Sequence, residues 1–288
     1  MLLFPGSKIN IGLSILNKRE DGYHNLESVF YPIPLFDSLE FLEAKELTFE
    51  SSVEIDPEKP NSVLQAYYLL KEKYDLPPLS IFLQKRIPMG AGLGGGSSNG
   101  AFMLVGLNSY FNLGLSVSEL KNFALKIGSD CPFFIENKPK FVEGKGELLI
   151  DISISLAGNY IVLVNPNIHI STQEAFSNLS IKENKQNFLK DQLTHNPISN
   201  WKEFVFNDFE EGVFLHHPEI KMIKESLYKD GATFASMTGT GSTVFGIFET
   251  EPNLDSLPDS YFKFITRNEK SNGFTIGRKG LEFCSHSN

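Results

Sequence analysis

Hydrophobic and polar positions alternate strictly from Lys8 to Leu16. Ile9, Ile11, Leu13 and Ile15 fall on one face, and Lys8, Asn10, Gly12 and Ser14 on the other. A period of two predicts a half-buried strand with Lys8 and Asn10 side by side on its open face. The polar run Lys18-Arg19-Glu20-Asp21-Gly22 carries an Asp-Gly turn signal and should close a hairpin. Leu26 to Ile33 and Ser38 to Leu42 read as short strands, broken by Pro32 and Pro34. Asn61-Ser62 then opens a helix that carries Val63, Ala66, Tyr67, Leu70 and Tyr74 and ends before Pro77-Pro78. Leu79, Ile81 and Leu83 alternate again as a strand. From Ala101 to Phe111 the chain is apolar almost all round a helical wheel, which predicts a buried helix N-capped by Ser97 or Ser98. Ser116 and Glu119 form a capping box ahead of the stripe Leu120, Phe123, Ala124 and Ile127, with Gly128 as its stop.

The second half opens after a turn at Gly144-Lys145-Gly146. Tyr160 to Val164 starts a new strand, which sets a domain boundary near residue 155, dividing 1–155 from 156–288. Residues 177–200 are polar and aperiodic, and read as a long loop or a weak helix. Pro218 leads into a helix with Ile220, Ile223 and Leu227. Thr233 to Met237 and Thr243 to Phe248 are strands joined by the glycine-rich turn Thr238-Gly239-Thr240-Gly241-Ser242. Helices and strands in this order predict an α+β protein of two domains.

Between the third predicted strand group and the buried helix runs KRIPMGAGLGGGSSNGAFM, from Lys85 to Met103. Glycines this dense let bare N–H groups approach a ligand, and the helix N-terminus behind them adds a positive dipole end suited to phosphate. A flexible linker would not lead straight into a buried helix. Gly90, Gly92 and Gly95 match the dinucleotide fingerprint by spacing, but the strand before them alternates and no acidic residue closes a second strand about 20 positions on. Gly-Lys-Ser/Thr of the Walker loop and the His-Arg-Asp and Asp-Phe-Gly signatures of protein kinases are missing.

Composition narrows the partners. A net charge of −9 over 288 residues argues against a general nucleic-acid binder, so any anionic ligand must be held by local cations and amides. Cys131 and Cys284 form no metal or disulfide pattern, and no run of about 18 apolar residues is present, so a cytoplasmic chain without a membrane anchor is expected.

Read singly, the candidate residues are ambiguous. Strand lysines such as Lys8 are usually solvated edge guards, although the small Gly12 and Ser14 clear space in front of it. His24 alone would be a structural histidine. Asp130 caps a turn before Pro132 on the bland reading, yet Cys131, Phe133 and Phe134 surround it with apolar groups, so that it needs a partner such as Lys8.

Taken together, the motifs are similar to those of a known family. Pro88-Met-Gly-Ala-Gly-Leu-Gly-Gly-Gly-Ser-Ser98 resembles the ATP loop of the GHMP small-molecule kinases. Lys8-Ile-Asn10, Asp21-Gly-Tyr-His24 with Phe30, Gly128-Ser-Asp-Cys-Pro132 and Thr238-Gly-Thr-Gly-Ser242 resemble its branch acting on 4-diphosphocytidyl-2-C-methyl-D-erythritol in isoprenoid precursor synthesis. The likeness implies a first domain like the second domain of ribosomal protein S5, a ferredoxin-like second domain, and a cleft between them. It implies ATP and Mg2+ as cofactors, Asp130 as general base and Lys8 as its cation. ATP would meet Asn61 and Lys85 at the adenosine, and Pro88, Met89, Gly90, Ala91, Gly92, Leu93, Gly94, Gly95, Gly96, Ser97 and Ser98 at the phosphates, with Ser98 near the magnesium. Asn10, Tyr23, His24, Phe30, Thr172 and Phe176 would line the cytidine pocket, and Gly239, Thr240 and Gly241 would approach the methylerythritol or the phosphates. The implied partner is that small molecule alone, with neither nucleic acid nor membrane, and the chain would be a monomer or a weak homodimer. A nucleotide-responsive binding module without catalysis is the rival class, and retention of both Lys8 and Asp130 weighs against it. Two departures stand out: Gly100 where alanine is expected, costing the helix about 1 kcal/mol, and a Pro5-Gly-Ser lead-in one residue longer than usual, which would shift Lys8.

Overall fold

The computed structural model describes residues 1–56, 58, 60–179 and 188–269, with the backbone of 275–277 and 280–282. Cys284 and residues 180–187 of the polar stretch lie outside the described residues. A short β1 (Leu2–Leu3) precedes the long hairpin of β2 (Gly6–Lys18) and β3 (His24–Phe36), then β4 (Ser38–Glu43) and β5 (Thr48–Ser51). Helix α1 (Ser62–Lys71) and β6 (Leu79–Gln84) lead to the glycine loop and α2 (Gly95–Tyr110), followed by α3 (Val117–Ile127) and α4 (Cys131–Glu136). The hairpin β7 (Lys140–Glu143) and β8 (Leu148–Asp151) ends the first half. Its strands form two sheets, ordered β1-β4-β6-β5 and β2-β3-β7-β8. Leu39, Phe41 and Ile81 share one core cluster with Tyr67, Leu70, Met103 and Phe123, so the helices cover the first sheet.

The second half runs β9 (Tyr160–Asn165), α5 (Thr172–Ser177), α6 (Leu189–His195), a 3-10 turn (Ile198–Glu203), α7 (Phe209–His216), α8 (Pro218–Lys229), β10 (Phe234–Met237), β11 (Val244–Phe248) and β12 (Phe262–Arg267). A small hairpin follows, β13 (Thr275–Gly277) with β14 (Gly280–Glu282). The order β10-β11-β9-β12, with antiparallel pairing throughout, is the ferredoxin-like arrangement. The crossover from β11 to β12 is made by turns rather than a helix. Part of the stretch read as loop or weak helix is therefore ordered, as α6 and the 3-10 turn. Among the described residues no helix is long and apolar enough to cross a membrane.

Three sequence expectations need correction. β2 is buried on both faces rather than one: Lys8 and Asn10 are 4% and 2% exposed. Gly12 clears no space for a ligand, because a methyl there would meet Leu189 Cδ1 at 2.7 Å and Val205 Cγ1 at 3.0 Å, and its φ of +69° bulges the strand instead. The N-cap of α2 is neither serine but Gly94, whose φ of +71° only glycine adopts freely; Ser97 and Ser98 sit inside the first turns. The capping box of Ser116 with Glu119 and the stop at Gly128 form as expected.

Candidate active site

A cleft of 920 Å³ opens where the β2–β3 hairpin, the glycine loop, α5 and the β10–β11 turn converge. Every site residue named from the sequence lines it except Asn61, Leu93, Ser98 and Gly241. Asn61 instead caps α1, accepting from Val63 N at 2.9 Å, and borders a second cavity of 570 Å³ with Phe49, Val53 and Tyr68. Leu93 is core, and Gly241 packs behind the loop against Met237.

At the centre, Lys8 Nζ lies 3.5 Å from Asp130 Oδ2, and it donates to Asn10 Oδ1 at 2.5 Å and to Gly92 O at 3.2 Å. The ammonium also stands 4.7 Å from the centre of the Phe30 ring. The longer Pro5-Gly-Ser lead-in has thus not moved Lys8 away from Asp130. Burial pulls the Lys8 ammonium below the ordinary lysine range, and Asp130 opposes that pull. Asp130 begins α4 but its side chain makes no cap hydrogen bond, so the bland reading of it fails. It is the one carboxylate among the described residues lining the cleft, and it is 29% exposed, open to a ligand.

The loop above this pair is shaped by glycines at three left-handed positions: φ is +61° at Gly90, +75° at Gly92 and +71° at Gly94. A methyl on Gly94 would lie 2.9 Å from Phe134 Cζ and 3.1 Å from Lys8 Cγ, so the loop can rest on the lysine only without side chains. Ser98 N is bonded to Gly94 O at 2.9 Å as the helix begins. Gly95, Gly96 and Ser97 line the cleft, and their amides precede that first helical bond and have no intrahelical acceptors. Nothing lies within 4 Å of a Cβ at Gly96, where the cleft is open.

At the far end, the His24 ring stacks on Phe176 with centroids 4.9 Å apart and planes 20° off parallel. Phe176 is held edge-on by Phe209. Burial and the nearby Lys18 hold the His24 imidazole below its ordinary value, favouring a neutral ring that both donates and accepts. Tyr23 stands 59% exposed beside it, with Lys145 Nζ 4.5 Å from its ring centre.

Four further contributors have no individual role in the sequence reading. Thr238 Oγ1 accepts from Asn10 N at 2.9 Å and reaches Gly92 O at 3.1 Å, joining the second half to the Lys8 cluster. His169 lies over Gly90, where a methyl would be 2.6 Å from its Nδ1. Lys145 comes from the β7–β8 turn, whose glycines were noticed only as a turn. Buried Asp37 accepts from Lys85 Nζ, and the sequence gives it no motif.

For a metal, no three His, Cys, Asp or Glu side chains converge among the described residues. Ser98 Oγ is fully buried without a hydrogen-bond partner. This donor set fits a magnesium ion carried in on phosphate oxygens with one protein oxygen added, not one caged by protein.

Residues 61–138 match the family model described as the GHMP kinases N terminal domain, and 189–263 match the GHMP kinases C terminal. The 4-diphosphocytidyl-2-C-methyl-D-erythritol kinase of Bacteroides fragilis is 47% identical over 89% of this chain and 95% of its own. That of Cytophaga hutchinsonii is 48% identical over 88% and 94%. A crystal structure of 4-(cytidine 5'-diphospho)-2C-methyl-D-erythritol kinase superposes with a TM-score of 0.71 at 27% identity, covering 86% of this chain and 90% of that one. Homoserine kinase from Cytophaga hutchinsonii shares the fold at 15% identity, TM-score 0.63. A buried lysine paired with the lone carboxylate among the described residues of the cleft, beside a glycine-rich loop, is thus carried by a small-molecule kinase: the chain belongs to the GHMP kinases, in the 4-diphosphocytidyl-2-C-methyl-D-erythritol kinase family.

Proposed function

We propose that this chain transfers the γ-phosphoryl group of ATP to the 2-hydroxyl of 4-diphosphocytidyl-2-C-methyl-D-erythritol. The observation that carries the reading is Asp130, the one carboxylate among the described residues of the cleft, ion-paired to buried Lys8 at 3.5 Å.

Asp130 accepts the proton of the attacking hydroxyl, and Lys8 holds the carboxylate in place while offsetting charge that develops on the transferred group. Phosphoryl transfer through a loose transition state asks mainly for position and charge neutralisation, which the amides of Gly95, Gly96 and Ser97 supply without reorganising. A magnesium ion would supply positive charge against the phosphates, and Ser98 is the residue that would hold it. Asn61, in its own cavity beside the loop, and Lys85 are assigned to the adenosine side.

The cytidine is assigned to the far end. Tyr23 presents an open ring face for stacking, Phe176 closes the pocket from α5, and neutral His24 offers both a donor and an acceptor to a base edge. Asn10, Phe30 and Thr172 complete that wall, with Gly239 and Thr240 toward the acceptor hydroxyl and Gly241 as their support. The test is ATP-dependent ADP release with and without the cytidylyl compound. Strong stimulation by it, and none by free methylerythritol phosphate or mevalonate, is expected; stimulation by another alcohol alone would overturn the reading.

A further inference from the structure

Asp37 fills the single-residue link between β3 and β4, at the corner where the two sheets of the first half meet, and it is completely buried. Its carboxylate takes four donors. Oδ1 accepts from Arg86 N at 2.7 Å and Ile87 N at 2.9 Å; Oδ2 accepts from Asn99 Nδ2 at 2.9 Å and from Lys85 Nζ. Lys85 Nζ also donates to Asn99 Oδ1 at 3.1 Å, which closes a ring of three side chains.

These partners are not scattered. Lys85, Arg86 and Ile87 form the entrance to the glycine loop, and Asn99 lies in the second turn of α2, just past its exit. Both ends of the loop are therefore tied to one carboxylate, while the corner under that carboxylate is fixed by the sheets: Asp37 N donates to Pro5 O at 2.9 Å. The charge of Lys85 is spent on this buried anion, directly beneath the start of α2, where a methyl on Gly95 would lie 3.2 Å from its Nζ. A buried ion pair with every lone pair satisfied specifies one arrangement, and removing one member leaves the rest unpaired.

We infer that Asp37 is a positioning residue for the nucleotide: through Lys85 and Asn99 it sets the span of the glycine loop, and so the affinity for ATP, without touching ATP. This rests on the reading that the loop holds the ATP phosphates, and Gly96→Leu checks that reading separately by filling the open cleft at the loop.

The experiment measures ATP and cytidylyl-substrate affinities of folded variants. Asp37→Asn should weaken ATP by about tenfold or more and leave the alcohol substrate within about twofold, since a carboxylate facing four donors is replaced by an amide whose own NH2 group opposes two of them. Asn99→Asp alone places two carboxylates together and should weaken ATP likewise. Together, Asp37→Asn with Asn99→Asp restores one anion and one amide, keeping every donor–acceptor pair except that of Lys85 with position 37 while Lys85 retains the anion at position 99, and ATP affinity should recover at least about threefold over the weaker single variant. ATP affinity unchanged in Asp37→Asn, or a double variant no better than either single one, overturns the inference. Should Asp37→Asn not fold, Asn99→Ala cuts the exit tie alone, and unchanged ATP affinity there overturns it equally. If Gly96→Leu keeps full ATP affinity, the loop is not the phosphate site and both readings fall; if it loses ATP while Asp37→Asn does not, the clasp alone falls.

Discussion

Gly92 and Thr238, one from each half of the chain, meet so closely that a methyl on Gly92 would lie 2.0 Å from the carbonyl oxygen of Thr238. The contact pins the middle of the glycine loop to the β10–β11 turn. Gly92→Ala adds a backbone clash to a φ of +75°, which alone costs about 1–2 kcal/mol for a residue with a Cβ. A loss of more than about 2 kcal/mol in denaturant unfolding is expected. Gly96→Leu, in open space, should melt within a few degrees of the parent yet lose at least about tenfold in ATP affinity, measured by calorimetric titration.

Asp130→Asn keeps the shape of the side chain and removes the proton acceptor. ATP should bind within about twofold of the parent, while single-turnover phosphoryl transfer falls by at least about a thousandfold. Unchanged turnover would show that another group takes the proton.

Tyr23 is mostly exposed, so Tyr23→Ala should move stability by no more than about 0.5 kcal/mol. Losing an aromatic face for the base should raise KM for the cytidylyl substrate about tenfold, a cost within the ~1–3 kcal/mol of one base–aromatic stack. KM for ATP should stay put in the same steady-state assay.

Glu27 is 3% exposed on β3, and burial, helped by the charge of Glu143, pushes its carboxyl up to about 7. A carboxyl whose folded value is raised binds its proton in the folded state where the unfolded chain has lost it, so stability falls as pH rises from about 4.5 to 7. Above that range the full cost, as much as about 3 kcal/mol, is present. Glu27→Gln should therefore raise Tm clearly at pH about 8 and hardly at all at pH about 4. Equal shifts at both pH values would place the effect elsewhere.

Local periodicity made most elements legible. The strand β2, the capping box at Ser116 and the stripes of α3 and α8 each depend on residues a few positions apart, and each formed, although β2 is buried on both faces. Long-range packing was not legible. Gly12 looked like room for a ligand because nothing near it in sequence announces Leu189 and Val205, which occupy that room. Gly100 looked like a defect of α2, yet a methyl there would meet Ser62 Cβ at 3.0 Å and Ser62 O at 3.1 Å, so glycine is what lets α1 approach. The alanine expected there would bring a crowded contact along with its better propensity. In the site, residues inside motifs could be named in advance, whereas Asp37 and His169 lie in no motif, and Thr238, though inside one, acts through partners far along the chain. Their chemistry appears only when the fold brings those partners together.

The core ignores the midpoint of the chain. Ile9, Ile11 and Leu93 lie in one cluster with Ile161, Leu163 and Phe234, and Leu13 and Ile15 lie in another with Val162 and Val244. The strand β2 is therefore synthesised well before the strands of the second half that cover it. Until β9 to β11 arrive, the nascent first half carries an apolar flank with nothing to cover it, a state prone to sticking and to chaperone capture.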